Sequence, residues 1–417
     1  MAYLEIAGGK QLIGEVNIQG SKNAVLPILA ATVLINGIAK INKCPKILDV
    51  YHMIKILEAI GCVVVWEGSS LIVDTTKLNT STVPEKLVKK MRSSIILMGA
   101  LLGRTHTVTI TYPGGCTIGA RPIDYHLNAF RKMNISLDEK DGQIYCTTAG
   151  IKGTDIFLEF PSVGATENTI LAAVLASGRT RILNAAREPE IIELCKFLNT
   201  AGAEIAGAGT DKIEIEGVDS LFNVEYTTNS DRIVAGTYLA AVAGTGGEAV
   251  LKGIGCGYLQ SVIQILREMG CHIICGEDYI IISSSGELKA VPFIRTMPYP
   301  GFPTDMQSQI MSVLMKASGT SKIAEEIFEG RYQNVPEQMK FGADIRINGR
   351  EAVVNGVSKL QGCEVCASEL RGGAALVISG LMAEGKTIIY NPNFIERGYE
   401  DICRDLQSLN ADIRYIS

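Results

Sequence analysis

The chain has little of what would mark a membrane, nucleic-acid or metal protein. Its longest apolar-rich stretch, at 24–35, contains Pro27 and falls short of the ~20 residues a spanning helix requires. The opening MAYLEIAGGK has no basic segment followed by an apolar one, so a secretory leader is not expected. Charge of one sign is also missing. Against 44 acidic residues stand 39 basic ones, a net charge of −5, which excludes a broad nucleic-acid footprint but not a local cluster of cations facing a small anion. Only four histidines are present, and none lies near Cys363-Glu-Val-Cys366, whose spacing alone resembles half of a zinc site. With no second ligand pair that motif reads as structural, and no metal is expected.

What is present is a long chain rich in small and apolar residues. Its 417 residues, 47% of them hydrophobic, suggest two or three domains at ~100–200 residues each. Eleven cysteines, an odd number spread widely, fit a reducing, cytoplasmic compartment in which most thiols are small buried hydrophobes. Cys62, Cys195 and Cys271 have that character.

Internal repetition is the strongest signal. A glycine closes an apolar segment and opens a strand at Gly37, Gly103, Gly178, Gly247, Gly319 and Gly385, in steps of 66 to 75 residues. A second mark follows each after 23 to 31 residues, as in AIGCVV, KMNISL, TAGAEI, EMGCHI, KFGADI and SLNADI. Segments with helical period lie between the marks, at 49–58 and 191–199 for example. After the second mark, alternation such as KIEIEGVDSLFNVEY (212–226) predicts a hairpin, and residues 3–18 predict another. Each unit thus reads as helix, glycine, strand, loop, helix, then two strands. Three such units close into a domain, and six give an α/β protein of two domains with a cleft between them. The N-terminal strands match the second half and are expected to complete it.

Polar chemistry gathers at the starts of the six leading helices: Lys22–Asn23, Arg92, Thr166–Glu167, Asp231–Arg232, Asp305 and Glu369–Arg371. The loops before the second helices add Asp49, Arg121, Glu188, Arg331 and Arg397. Free N–H groups and the helix dipole favour anions at such ends. Taken together, Lys22, Arg121, Arg331, Arg371 and Arg397 beside glycine-rich turns point to a small polyanion. Asp305 in GFPTDMQ is either a cap or a general base. Cys116 sits in the glycine-rich loop TYPGGCTIGARPID, five residues before Arg121; a guanidinium nearby favours thiolate, making this the candidate reactive cysteine.

Eight segments carry a resemblance: SKNAVLPILAA (21–31), GGCTIGARPIDYHL (114–127), PSVGATEN (161–168), NAAREPEI (184–191), FPTDMQ (302–307), FEGRY (328–332), LRGGAALV (370–377) and IERGYE (395–400). Along essentially its whole length the chain resembles the UDP-N-acetylglucosamine 1-carboxyvinyltransferases, enolpyruvyl transferases of bacterial peptidoglycan synthesis. The resemblance implies two inside-out α/β barrels with pseudo-threefold symmetry, residues 1–20 plus 230–417 forming one and 21–229 the other. It implies transfer of enolpyruvyl from phosphoenolpyruvate to the 3-hydroxyl of UDP-N-acetylglucosamine, with no cofactor, metal, nucleic acid or membrane involved. Lys22, Arg121 and Arg397 would hold the phosphate, with Arg331 and Arg371 lining the same site. Cys116 takes the proton-donor position, Asp305 meets the sugar hydroxyl, and Glu369 is a further catalytic carboxylate. The nucleotide sugar would meet Asn23, Arg92, Arg121, Pro122, Ile123, Asp124, Tyr125, Ser162, Val163, Gly164, Asp305 and Ile327. Glu369 stands where the family usually has Asp, Gly330 where it has Asn, and Phe394 where His is common. The sister transferase of the shikimate pathway lacks the cysteine loop.

Overall fold

The computed structural model describes residues 2–114, 118–119 and 122–417. These form two compact units. One takes Met1–Gln19 and Ser230–Ser417, together with Ile118 and Gly119; the other takes the rest of 20–229.

The first unit holds three four-stranded sheets. Their central strands are Gly247–Lys252, Thr320–Ala324 and Lys386–Tyr390, each beginning at or just after a repeat-marking glycine. Each pairs parallel on one side and antiparallel on the other. The second unit repeats this around Ile38–Asn42 and Arg179–Leu183. Its third sheet, around Thr107–Thr111, has three strands, with Thr82 bridging parallel to Thr109 where a fourth would lie. Gly178, Gly247, Gly319 and Gly385 have φ of 83°, 111°, 116° and 90°, values that favour glycine. In the second repeat Gly103 lies inside the helix Leu97–Thr105, and His106 takes the left-handed turn at φ 59°.

Neither expected hairpin forms. Lys212–Glu216 pairs with Glu204–Ala206 and Arg179–Leu183, while Val224–Thr227 crosses to pair parallel with Ile38–Asn42. Gly217 marks the departure: a Cβ there would lie 1.7 Å from the Ala176 carbonyl oxygen. Likewise Tyr3–Ala7 inserts between Lys386–Tyr390 and Asp412–Ile416, whereas Leu12–Asn17 joins Gly247–Lys252 in another sheet.

The sheets keep one face toward solvent, as alternating burial along Ile38–Asn42 and Arg179–Leu183 shows. Their other faces cover helices that are buried nearly all round. Leu370–Met382 is buried at every residue and Arg232–Thr245 at all but the last; both pack on Gln307–Leu314. Lys22–Ala31, Leu97–Thr105 and Val163–Ala173 are the equivalents in the second unit. The second helices of the repeats are amphipathic: Gln260–Glu268 buries only Val262, Ile263, Ile265 and Leu266.

Cys62, Cys146 and Cys195 are buried free thiols pushed up to about 12, and Cys271 to about 11, chiefly by burial. Cys256 and Cys275 are instead joined in a disulfide, a pairing the sequence reading did not anticipate. Cys363 precedes the strand Glu364–Cys366, and Cys366 ends it. Among the described residues no group of three or more His, Cys, Asp or Glu is arranged to hold a metal ion. No helix among them is long and apolar enough to cross a membrane.

Glu167 lies one turn inside Val163–Ala173 rather than at its start. It is 4% exposed, and burial first, then Glu190 and Glu188, pushes its carboxyl well above the usual range. A carboxyl raised on folding contributes stability that is complete below the ordinary value near 4.5 and is lost as pH rises through the folded value. Glu167→Gln is therefore expected to raise the melting temperature at alkaline pH and to leave it nearly unchanged near pH 4.5. Melting curves at both ends check this; equal shifts would mean that charge is not the cause.

Candidate active site

Pro303 is extended and delivers the chain into the 3-10 turn Thr304–Met306, which runs into Gln307–Leu314 without a side-chain cap. Asp305 is thus not a helix cap. Its Oδ1 accepts from Arg331 Nη2 at 2.5 Å, and its Oδ2 accepts from Arg371 Nη2 at 3.0 Å and Nε at 3.3 Å. The two arginine side chains are 2% and 3% exposed, whereas that of Asp305 is 29% exposed. The carboxylate clamped by two buried guanidiniums is thus itself partly exposed.

Both arginines are fixed from behind. Arg331 Nε donates to Thr304 Oγ1 at 3.1 Å, whose hydroxyl donates to buried Glu325 Oε2 at 2.9 Å. Glu325 Oε1 accepts the N–H groups of Ile327 and Phe328, both at 2.9 Å, holding the half-buried Ile327 beside this network. Glu369 caps Leu370–Met382, accepting from the N–H groups of Arg371 at 2.8 Å and of Gly372. Its Oε2 lies 3.7 Å from Arg331 Nη1. The longer Glu side chain thus reaches back onto its own helix start. Burial, the largest single influence, would lower the Arg371 pKa; Asp305 together with Tyr399 and Asp231 outweighs it, and the value is raised. Arg371 Nη1 is buried with no hydrogen-bond partner among the described residues, so this cation retains donor capacity for an anion.

Arg397 is half-buried in the turn after Pro392–Phe394. The next residue, Gly398, lies against Leu370: a Cβ there would sit 2.8 Å from Leu370 Cδ2. Arg397 therefore stands near the start of the helix that carries Arg371. Gly330, where the family pattern has Asn, donates its N–H to the Ile118 carbonyl at 2.8 Å. Cys116 and Arg121 lie outside the described residues.

A second group forms in the unit built from 20–229. Ser21 caps Lys22–Ala31, and Lys22, its first residue, pairs with Asp49 at 2.8 Å, with side chains 11% and 2% exposed. Asn23 beside it is half-buried. This helix packs on the turn Arg92–Ile96, whose first residue Arg92 is also half-buried. Pro122 and Asp124 are exposed, Ile123 is buried and Tyr125 is half-buried at the start of Asp124–Lys132. Ser162 caps Val163–Ala173, accepting from Ala165 N–H at 3.4 Å, and Ser162, Val163 and Gly164 are half-buried.

Two residues the sequence reading passed over tie these segments together. Asn168 Nδ2 donates to the Ile95 carbonyl at 2.9 Å and meets His126 Nδ1 at 2.7 Å, while its Oδ1 accepts from Gly99 N–H at 2.8 Å. With Nδ2 a donor, His126 Nδ1 is the acceptor, so the ring proton resides on Nε2. Gly164 leaves room for that ring: a Cβ there would lie 3.1 Å from His126 Cε1. The only available signal was Asn168 within PSVGATEN, too weak to single it out.

Comparison with known proteins shows the family to which the chain belongs. Residues 6–406 match the family model described as EPSP synthase (3-phosphoshikimate 1-carboxyvinyltransferase). The chain is 50% identical over 413 residues to a UDP-N-acetylglucosamine 1-carboxyvinyltransferase 2 of Caldanaerobacter subterraneus subsp. tengcongensis, covering 99% of each. It is 45% identical to a UDP-N-acetylglucosamine 1-carboxyvinyltransferase 1 of Halalkalibacterium halodurans, covering 100% of this chain and 95% of the relative. Among solved structures, the enolpyruvyl transferase NikO from Streptomyces tendae superposes with a TM-score of 0.90 at 24% identity, covering 100% of this chain and 99% of that one. EPSP synthase from Acinetobacter baumannii superposes at 0.75 with 17% identity, over the full length of both. At those identities the two structures speak to the fold alone.

Proposed function

The chain belongs to the EPSP synthase family, and from that premise we propose that it is a UDP-N-acetylglucosamine 1-carboxyvinyltransferase. It transfers enolpyruvyl from phosphoenolpyruvate to the 3-hydroxyl of UDP-N-acetylglucosamine and releases phosphate, the opening step of peptidoglycan synthesis, in the cytoplasm. Full-length identity of 44–50% to four proteins of that name carries the assignment. Each unit is then one inside-out α/β barrel of three repeats, with domains at 1–20 plus 230–417 and 21–229.

The donor carries a phosphate and a carboxylate, and the cations match that need. Lys22, Arg121 and Arg397 bind the phosphate, and Arg331 and Arg371 line the donor site, where the spare Arg371 Nη1 supplies a directed N–H. Cys116 delivers a proton to C3 of the enol ether, making C2 electrophilic. The sugar O3 bonds to C2 as its hydroxyl proton passes to Asp305, giving a tetrahedral ketal. Loss of the proton from C3 and of phosphate from C2 restores the enol ether in the product. Ser162–Gly164 at a helix start, with Asn23, Arg92 and the segment 121–125, holds the nucleotide sugar. Ile327 packs against it. Glu369 acts by fixing the Arg371 segment and facing Arg331.

Incubation with phosphoenolpyruvate and UDP-N-acetylglucosamine should release one phosphate per enolpyruvyl sugar detected by mass. Release with shikimate 3-phosphate in place of the UDP-sugar would assign the chain to the sister activity instead. Arg397→Ala is expected to weaken phosphoenolpyruvate binding by roughly 2–5 kcal/mol, with much less effect on the UDP-sugar alone. Calorimetry separates the two ligands; equal losses would make Arg397 a support of the fold.

A further inference from the structure

We infer that Cys256 and Cys275 form a thiol–disulfide exchange site, taking a dithiol reductant or a small oxidised disulfide, whose state governs how firmly the Asp305 segment is held. The pair joins two unlike environments. Cys256 is 6% exposed in the turn Cys256–Tyr258, and Cys275 is exposed at the end of the strand His272–Cys275. Eight other cysteines among the described residues are free, most of them buried, so this is the described sulfur pair already joined and open to solvent on one side. Arg267, anchored by donating to the Ile273 carbonyl at 2.7 Å, brings Nη2 to 3.9 Å from Cys275 Sγ. A guanidinium at that sulfur favours its thiolate, the form that leaves or attacks in exchange.

The exchange balances without any group beyond the named reductant. One thiolate of a dithiol bonds to Cys275 Sγ, the Cys256–Cys275 bond breaks, and Cys256 leaves as a thiolate that takes a proton. The second thiol of the reductant displaces Cys275 as thiolate, so two electrons pass to the protein and the reductant becomes a disulfide. Oxidation by a small disulfide runs the same steps in reverse.

The tie restrains a glycine-rich turn that touches the Asp305 segment from two sides. Gly253, Gly255 and Gly257 surround Cys256, and the sulfur link adds to Gly253 and Ile254 N–H groups donating to the Asp278 carbonyl at 2.6 and 2.9 Å, and to Ser230 Oγ donating to the Gly253 carbonyl. Directly after it, Ser261 Oγ donates to the Gly301 carbonyl at 3.2 Å, four residues before Asp305. Leu259 and Met306 both lie against Gly236: a Cβ built there would lie 3.5 Å from Leu259 Cδ2 and 2.7 Å from Met306 Sδ. Met306 follows Asp305 directly. Opening the disulfide frees the turn to move and loosens both contacts.

The full chain, equilibrated across ratios of reduced to oxidised dithiol and then alkylated, should show Cys256 and Cys275 gaining label together. Hydrogen exchange should rise at 253–261 and at 301–307 on reduction. The Cys256→Ser, Cys275→Ser double variant should exchange like the reduced form under all conditions. Turnover of the reduced form should fall about 2- to 30-fold, and the double variant should show that lowered turnover with or without reductant. The activity arm rests on the transferase reading, whereas labelling and exchange do not, so the two ideas fail separately. Free thiols at both positions under every ratio, or an opened pair with unchanged exchange at 301–307, would overturn the inference.

Discussion

Asp305→Ala is expected to remove turnover and to lower the unfolding free energy by about 3 kcal/mol, near the lower end for breaking a buried ion pair. The lower end applies because the Asp305 side chain is 29% exposed, so water partly replaces it. The loss is nonetheless large because its partners cannot escape. Arg331 and Arg371 are 2% and 3% exposed, and each loses its hydrogen-bonded carboxylate at once. Arg331 keeps Thr304 and the more distant Glu369, and Arg371 keeps Tyr399 while its buried Nη1 has no hydrogen-bond partner among the described residues. Asp305→Asn retains volume and one acceptor oxygen, so it should recover part of the stability while turnover stays low, because an amide does not take up the hydroxyl proton. Denaturant titration with an unchanged slope, beside initial rates, separates the two effects. A loss below about 0.5 kcal/mol for the Ala variant, as for an ordinary surface substitution, would show the clamp to be energetically idle.

The fate of that triad explains how far the sequence could be read. The repeat glycines located the central strand of nearly every sheet, because a left-handed turn before a buried strand leaves a residue-type mark, at Gly178, Gly247, Gly319 and Gly385. Strand partners left no such mark. Alternation at 212–226 has the same period whether the strands pair with each other or with different sheets, and the crossing turns on Gly217 approaching Ala176. The helix starts were legible as places for charge, yet their meaning differed with burial. Lys22 and Asp305 do sit at such ends, while Glu167 lies inside its helix as a carboxyl raised by burial. That Asp305 lies between Arg331 and Arg371, the latter 66 positions away, is a property of the packed repeats and of no local pattern. His126 and Asn168 were missed for the same reason, their partners being supplied by three separate segments.

Cys116→Ser is expected to reduce turnover by roughly 10²–10⁴-fold at neutral pH, the usual contribution of a positioned proton donor. A serine hydroxyl is a far weaker acid than a thiol, so the proton for C3 of the donor is no longer available. Cys116→Asp should retain part of the activity with an optimum moved to acid pH, since a carboxyl donates only while protonated. That displacement is what a merely structural cysteine would not produce. Chemical labelling gives an independent readout. A phosphonate epoxide mimics the donor's charge and is opened by a thiolate, so it should modify Cys116 first. Cys62, Cys146 and Cys195 are poor competitors, being buried with thiols pushed up to about 12. Cys366 is the informative control, because it is exposed and free. Exposure alone would label Cys366 as fast as Cys116, whereas recruitment by the cations would label Cys116 far faster and would be slowed by added phosphoenolpyruvate. Peptide mapping over time, with and without phosphoenolpyruvate, decides between them, and equal rates at the two positions would remove Cys116 from the mechanism.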